Sequence, residues 1–425
     1  MAQSSVMTLS RYLPTASLFA IGLVATFLSL ALLSHAMTLS DFGAFTVLYN
    51  AGTILSGVGS LGFDLSTMRF IPSALASGNK QTAKIFDAYS LRLVLCSSAL
   101  VGVATILYIS FRYQYSVMIL IFLGISVTFW TLVRYISGSL RAHGHTNVCL
   151  FIDRILRDGG LALIGGCIIL NSSQINLQFS VIVLAILSIL GSVIGSFVLG
   201  NYKHSPLANY GPIPKIWLSS SIGLLAVNVS ELLGARIDIF LAGILIDAKS
   251  AGTVALLLAL TSLVTIPSSF LNVITMPMIA HHQQLGNYQQ LRKLLISVTI
   301  LAVLGSATIA AFLVLERDQV FGIFSKEAMA LIPSSTFFLV LTARVFSMIS
   351  HAMAPLLMMT GGERKLIGCH LISIAVKLIL CSFFLSNFNI STIGILITSG
   401  TLVLSALQIY FGILQHTKML KAVLL

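Results

Sequence analysis

A few charged side chains interrupt long apolar runs, and the chemistry this chain can do starts there. Glu231, Arg236 and Asp238 share one run, Arg344 lies in a second and Lys377 in a third. In hydrocarbon a charge at mid-depth costs at least about 2.5 to 3.5 kcal/mol, so such groups face a cavity or one another. Guanidinium and ammonium groups held this way suit a phosphate or diphosphate, which charge-assisted donors bind. Carboxylates suit a coupling cation or proton. On a helical wheel Glu231 and Asp238 fall within about 20° of each other, whereas Arg236 points about 140° from Glu231. A second motif, "SGVGSLGFDLSTMRF" (56–70), contains Gly57-x-Gly59-x-x-Gly62, then Asp64 and Arg69. Following a strand, that glycine spacing would mark a dinucleotide-binding turn.

Composition decides what positions these residues. Of 425 residues 57% are hydrophobic and 8% charged, against about 25% charged in a soluble domain. Apolar runs of about 20 residues, enough to cross a bilayer as helix, recur along the whole length. An all-α, polytopic membrane protein follows. The net charge of +12 is strewn between apolar segments instead of being gathered on one wet face, which argues against nucleic acid. Cys96, Cys149, Cys167, Cys369 and Cys381 form no C-x-x-C pair, so they read as small core residues.

Twelve spans are expected, beginning near Thr15, Gly43, Ala88, Ser116, Gly159, Ile175, Ile216, Ala251, Leu294, Ala330, Leu366 and Ser391. The first is longer than a signal-peptide core and reads as a retained span. With the N-terminus cytoplasmic, the inner side and its flanking helix ends take most of the 24 Lys and Arg. They are Arg11; Arg69, Lys80, Lys84 and Arg92; Arg134, Arg141, Arg154 and Arg157; Lys203 and Lys215; Arg292 and Lys293; Arg364 and Lys365; Lys418 and Lys421. The outer side takes Arg112, Lys249, Arg317 and Lys326. This asymmetry predicts both termini on the cytoplasmic side. It also puts Gly57, Gly59 and Gly62 inside the second span, where they serve helix approach or flexing and not a nucleotide. Asp64 then lies near the cytoplasmic end and Arg69 at the interface, as candidates for a cytoplasmic gate or for a structural role. Arg344 and Lys377 are central in their spans, Glu231 is near the middle of the seventh, and no charge of the first half reaches comparable depth.

"TMRFIPSALASGNKQ" (67–81) and "TMPMIAHHQQLGNYQ" (275–289) coincide at six of fifteen positions at a constant offset of 208. That offset superposes the second and eighth spans, as two parallel six-helix lobes, 1–205 and 206–425, require. Two such lobes suit alternating access.

The stretches "LLSHAMTLSDFGAFTVL" (32–48), "GFDLSTMRFIPSALASGN" (62–79), "IDIFLAGILIDAKSAGTVALLLAL" (237–260) and "TGGERKLI" (360–367) resemble the polysaccharide flippases of the multidrug/oligosaccharidyl-lipid/polysaccharide exporter superfamily. The resemblance implies a twelve-helix, two-lobe transporter of the bacterial or archaeal cytoplasmic membrane and no enzyme. Its cargo would be a polyprenyl-diphosphate-linked oligosaccharide, an O-antigen, capsule or exopolysaccharide repeat unit, moved from the cytoplasmic to the outer leaflet. Partners implied are that lipid-linked substrate, membrane lipids, and the polysaccharide polymerase and chain-length machinery. No cofactor is implied beyond coupling to Na+ or H+. Two cousins stay open: lipid II flippases, which usually have fourteen spans, and drug/cation antiporters with the same twelve-helix layout.

Under the flippase reading Arg344 and Lys377, with Arg236, meet the diphosphate, and Glu231 and Asp238 serve a coupling ion. The alternative is that these five groups pair with one another and only hold helices together. The antiporter reading makes the acids decisive and the cargo an organic cation. A membrane-embedded glycosyltransferase or polymerase would need catalytic groups on a sizeable outer loop, and none is long enough. His143, His145, His281 and His282 read as solvated loop residues, with no acid or Cys to complete a metal site, while His351 could join a polar track. Pro267, Pro277 and Pro355 mark kinks or hinges. The basic, amphipathic stretch 141–158 suits an interface with anionic lipid headgroups.

Overall fold

The apolar runs fold as helices. The computed structural model describes all residues except 1, 77, 113–114, 172–173, 201–214, 285–286 and 425. It is 91% helix and holds no strand among the described residues. Lys203, one of the inner cations expected from the sequence, lies outside them. The chain divides into two compact units, Met1–Val229 and Ser230–Leu425.

The first unit contains α1 (Ala2–Ala36), α2 (Leu39–Gly59), α3 (Phe63–Ala76), α4 (Lys80–Arg112), α5 (Val117–Ala142), α6 (Thr146–Leu150), a π-helix (Phe151–Gly159), α7 (Gly160–Leu170) and α8 (Leu177–Leu199), and the start of α9 (Lys215–Leu245). The second contains the rest of α9, α10 (Ala248–Ser262), α11 (Ile266–Gln284), α12 (Tyr288–Leu315), α13 (Arg317–Gly322), α14 (Lys326–Ala330), α15 (Ser334–Ser347), α16 (Met353–Met359), α17 (Glu363–Phe383) and α18 (Ile390–Leu424).

Helix starts are set by short polar side chains that accept from otherwise orphaned N–H groups. Thr38 accepts from the Asp41 amide at 3.1 Å, Asn176 from Phe179 at 2.9 Å and Asp247 from Ser250 at 2.7 Å. Among the described residues nine helices are long and apolar enough to cross a membrane, or ten if α2 and α3 count as one bent span. The two remaining expected starts, Gly159 and Ala330, fall on less regular structure. The first meets the 11-residue α7 behind the charged π-helix, and the second meets α15, which ends in a 3-10 turn at Met348–Ser350. Side chains such as Leu100, Phe111, Leu170, Phe197 and Phe383 stand exposed on the helices. That is unfavourable in water and suited to lipid, so the chain is a multi-pass integral membrane protein.

Three interruptions matter. Between α2 and α3 the axis bends by 42°. There Leu61 and Gly62 take φ of 51° and 74°, in the left-handed region, and a Cβ on Gly62 would run into the Ser221 carbonyl of α9. The broken turn is satisfied by hydroxyls: Ser97 donates to the Gly59 carbonyl and Ser60 to that of Gly57. Between α10 and α11 the 3-10 turn Leu263–Thr265 precedes Pro267, which has no N–H to continue the ladder. Ser306 donates to the Val264 carbonyl there at 2.6 Å. The third is the turn at Met348–Ser350, followed by α16 with Pro355. Buried in protein, such breaks are tolerated because neighbouring side chains replace the lost backbone bonds.

Each unit has a central helix. In the first it is α5, which packs on α2, α3, α4, α8 and the π-helix and carries the enclosed Trp130 and Tyr135. In the second it is α18, packed on α15, α16 and α17. The five cysteines are free, with Cys149, Cys369 and Cys381 buried and Cys96 and Cys167 exposed.

Candidate functional site

In the second unit α9 brings Glu231, Arg236 and Asp238, α15 brings Arg344, and α17 brings Lys377. Asp238 and Lys377 meet. Lys377 Nζ lies 2.6 Å from Asp238 Oδ2 and also donates to the Gly234 carbonyl at 3.0 Å. The residues are 1% and 4% exposed, so the pair is desolvated and each charge depends on the other. The lysine stem is seated by Gly400 of α18, where an added Cβ would fall within 2.8 Å of Lys377 Cγ and closer still to Cε. Ser373, one turn before Lys377, donates to the Gly400 carbonyl at 2.8 Å and fixes that approach. The other carboxylate oxygen, Asp238 Oδ1, is buried and takes no hydrogen bond.

Arg344 is half-buried. Its Nε is enclosed and takes no hydrogen bond, and Asp238 and Arg236 are its electrostatic neighbours. Arg236 is half-buried on the same helix as Asp238, while Glu231 is exposed. Of the three bases picked as diphosphate ligands, Lys377 is therefore already neutralised by one of the two acids picked for ion coupling. That is the pairing the sequence left open as an alternative. Asp238 and Glu231 also differ in surroundings, one enclosed and one exposed, although the wheel places them on one face.

In the first unit Asp64, Asp87 and Asp158 are buried within the protein. The sequence counted Arg134, Arg141, Arg154 and Arg157 as cations of the inner side. In the structure Arg157 forms a two-pronged contact with Asp158, at 2.8 Å from Nε and 3.3 Å from Nη2. Its guanidinium lies 4.5 Å from the Trp130 ring centre, and Asp158 also accepts from Tyr49 at 3.1 Å and from Thr26. Asp153 stands 3.9 Å from both Arg141 and Arg157. Within the stretch 141–158, expected at a lipid interface, Arg157 and Asp158 contact α1, α2 and α5, while Arg141, Asp153 and Arg154 stay part-exposed. The contact between Arg157 and Asp158 falls within the π-helix Phe151–Gly159. The i, i+4 spacing of Asp153 and Arg157 is the one local signal of their pairing in the sequence.

Asp64 sits in the first turn of α3, beside the break. Ser60 donates to its Oδ1 at 3.0 Å, Asn228 donates to its Oδ2 at 3.4 Å, and Arg134 Nη2 lies 3.5 Å away. Arg69 is exposed and donates to Ser220 at 3.4 Å. Asp87 accepts from Tyr135 at 2.7 Å and Ser139 at 3.0 Å and ties α4 to α5.

Solved structures share this bent and broken helical fold. An inward-facing multidrug resistance MATE family transporter of the MOP superfamily is similar over 96% of both chains, with TM-score 0.74 and 14% identity. An outward-facing MATE family transporter of the same superfamily gives 0.69 at 14% identity, over 96% of this chain and 97% of the other. A MOP superfamily transporter from Pyrococcus furiosus, whose binding pocket of reverse polarity suggests a different function, gives 0.70 at 15% identity, over 96% and 94%. At these identities the likeness is one of fold. No family model matches the sequence. No curated protein matches it either.

Proposed function

We propose that the protein is a flippase that moves an anionic lipid-linked saccharide, a polyprenyl-diphosphate-linked oligosaccharide, from the cytoplasmic to the outer leaflet by alternating access. The observation that carries this reading is Arg344. A half-buried guanidinium whose Nε takes no hydrogen bond, with a second arginine as electrostatic neighbour, is costly unless an anion visits it. Lys377 is held by Asp238, so Arg344, with Arg236, becomes the first contact for the diphosphate. The same proposal includes twelve spans with both termini cytoplasmic, two lobes divided at 205/206, and a place in a bacterial or archaeal cytoplasmic membrane beside the polymerase and chain-length machinery. It also includes coupling to Na+ or H+ through Glu231, and a cytoplasmic gate at Asp64 and Arg69.

The experiment deletes the gene and follows lipid-linked glycans by mass spectrometry in cells complemented with the wild type or Arg344→Ala. The reading expects glycolipid to accumulate on the cytoplasmic leaflet after deletion and to remain there with Arg344→Ala at normal protein level. Clearance by Arg344→Ala at the wild-type rate refutes the phosphate role. The second reading is a cation-coupled antiporter of organic cations, favoured by the exposed carboxylate of Glu231 and by the multidrug transporters that share the fold. It expects unchanged glycolipids and altered drug sensitivity, with Glu231→Gln the damaging substitution.

A further inference from the structure

The Asp238–Lys377 pair has features that a purely structural bridge does not need. A buried ion pair contributes little net stability once desolvation is counted, and replacing it with apolar residues is often neutral or favourable. Here the sequence keeps the pair and sets aside Gly400 to seat the lysine stem. The carboxylate is incompletely used: Oδ2 meets Lys377 at 2.6 Å, and Oδ1 is buried with no hydrogen bond. Arg344 is a further electrostatic neighbour of Asp238, and Arg236 is in turn a neighbour of Arg344. Asp238 is thus an enclosed carboxylate set against Lys377 of α17 and near Arg344 of α15.

We propose that Asp238 is a resident stand-in for the phosphate of the cargo: it neutralises Lys377 in the empty transporter and yields that lysine to the arriving diphosphate. This rests on the anionic-cargo reading above and deepens it. An empty cationic pocket would leave Lys377 unpaired in a desolvated place, at high cost. Exchange of one anion for another keeps the lysine paired throughout. Arg344, which is partly accessible, takes the first phosphate, and Lys377 takes the second as α9 and α17 part beside Gly234. No side chain of α9 stands between the helices there, and a Cβ on Gly234 would meet His370 and Ile374 at an ordinary 3.8 Å. Return of Asp238 to Lys377 then competes the cargo off, so the carboxylate lowers affinity and promotes release. Asp238 is a specificity-determining residue in this scheme, because a neutral headgroup cannot displace it.

The test uses the purified full-length protein in detergent, with farnesyl diphosphate as probe and calorimetry as readout. Asp238→Asn is expected to bind the probe about tenfold more tightly than wild type, and the double variant Asp238→Asn, Lys377→Met to lose that gain. A structural bridge predicts the opposite, weaker binding in Asp238→Asn. Equal or weaker binding by folded Asp238→Asn, with the wild type binding normally, overturns the exchange and leaves the cargo reading intact. Failure of the wild type to bind farnesyl diphosphate, together with binding of ethidium, overturns the cargo reading and the exchange with it. If Asp238→Asn does not fold, the wild type decides the matter through carbodiimide labelling of Asp238, read by mass spectrometry. Saturating farnesyl diphosphate should raise labelling several-fold and farnesol should not, and unchanged labelling at saturation overturns the exchange.

Discussion

The two units handle buried charge in different ways. In the first, each enclosed carboxylate has several donors: Asp158 has Thr26, Tyr49 and both prongs of Arg157, and Asp87 has Tyr135 and Ser139. The first set joins α1, α2 and the π-helix, and the second joins α4 to α5. In the second, one carboxylate faces one lysine at 2.6 Å and keeps an unused oxygen. A fully donated carboxylate has nothing left for a ligand and holds helices in register. An incompletely matched set of charges has capacity to spare. By this comparison the first unit is the better scaffold and the second the better place for recognition.

The largest effect should come from breaking the scaffold. Asp158→Ala leaves the Arg157 guanidinium enclosed without its two-pronged partner, and loss of one member of a buried pair costs about 3 to 5 kcal/mol. Thermal unfolding followed by size-exclusion fluorescence should show a steep fall in melting temperature, together with loss of monodisperse protein. In the second unit, the double variant Asp238→Leu, Lys377→Met should stay within about 1 to 4 kcal/mol of wild type on the stable side or be neutral, yet lose transport. Equal thermal losses in both experiments would remove the distinction between scaffold and recognition.

An intermediate effect is expected at the break between α2 and α3. Gly62→Ala puts a Cβ against the Ser221 carbonyl at φ of 74°, and a residue forced into that region costs about 1 to 3 kcal/mol. Since Asp64 lies just beyond the break, the variant should also shift the Ser60 and Asn228 contacts and slow transport. A melting temperature equal to that of wild type would show that the turn relaxes freely.

Much of this was legible in the sequence. Twenty-residue apolar runs announce helices, whereas the glycines of the motif 56–70, read as serving helix approach or flexing within one span, did not say that the helix breaks at Gly62. The residues that pair across the fold were not legible. Nothing local says that Asp238 and Lys377 meet, because 139 positions separate them; only the expectation that deep charges seek partners pointed that way. Arg157 and Asp158 were concealed differently. Their neighbours in sequence look like a solvated basic loop, and the π-helix that carries them has no composition signal. Arg134 was hidden the same way, on the polar end of a span whose Asn228 and Asp64 partners lie on α9 and α3.

The smallest thermal effect, and the sharpest test of the comparison, belongs to Arg344→Lys. The arginine Nε contributes no hydrogen bond, and the positive charge near Asp238 is retained, so stability should stay within about 0.5 kcal/mol, as for substitutions away from a structural partner. Recognition should not be conserved. A guanidinium offers a planar fork matched to two phosphate oxygens, whereas an ammonium is a compact point charge on a flexible stem. Loss of one well-placed charge-assisted bond, worth about 1.5 to 3 kcal/mol, predicts a roughly tenfold or greater fall in farnesyl diphosphate affinity at an unchanged melting temperature. If affinity falls only together with stability, Arg344 belongs with the scaffold of its unit. If neither moves, the positive charge is sufficient and the fork geometry plays no part in binding.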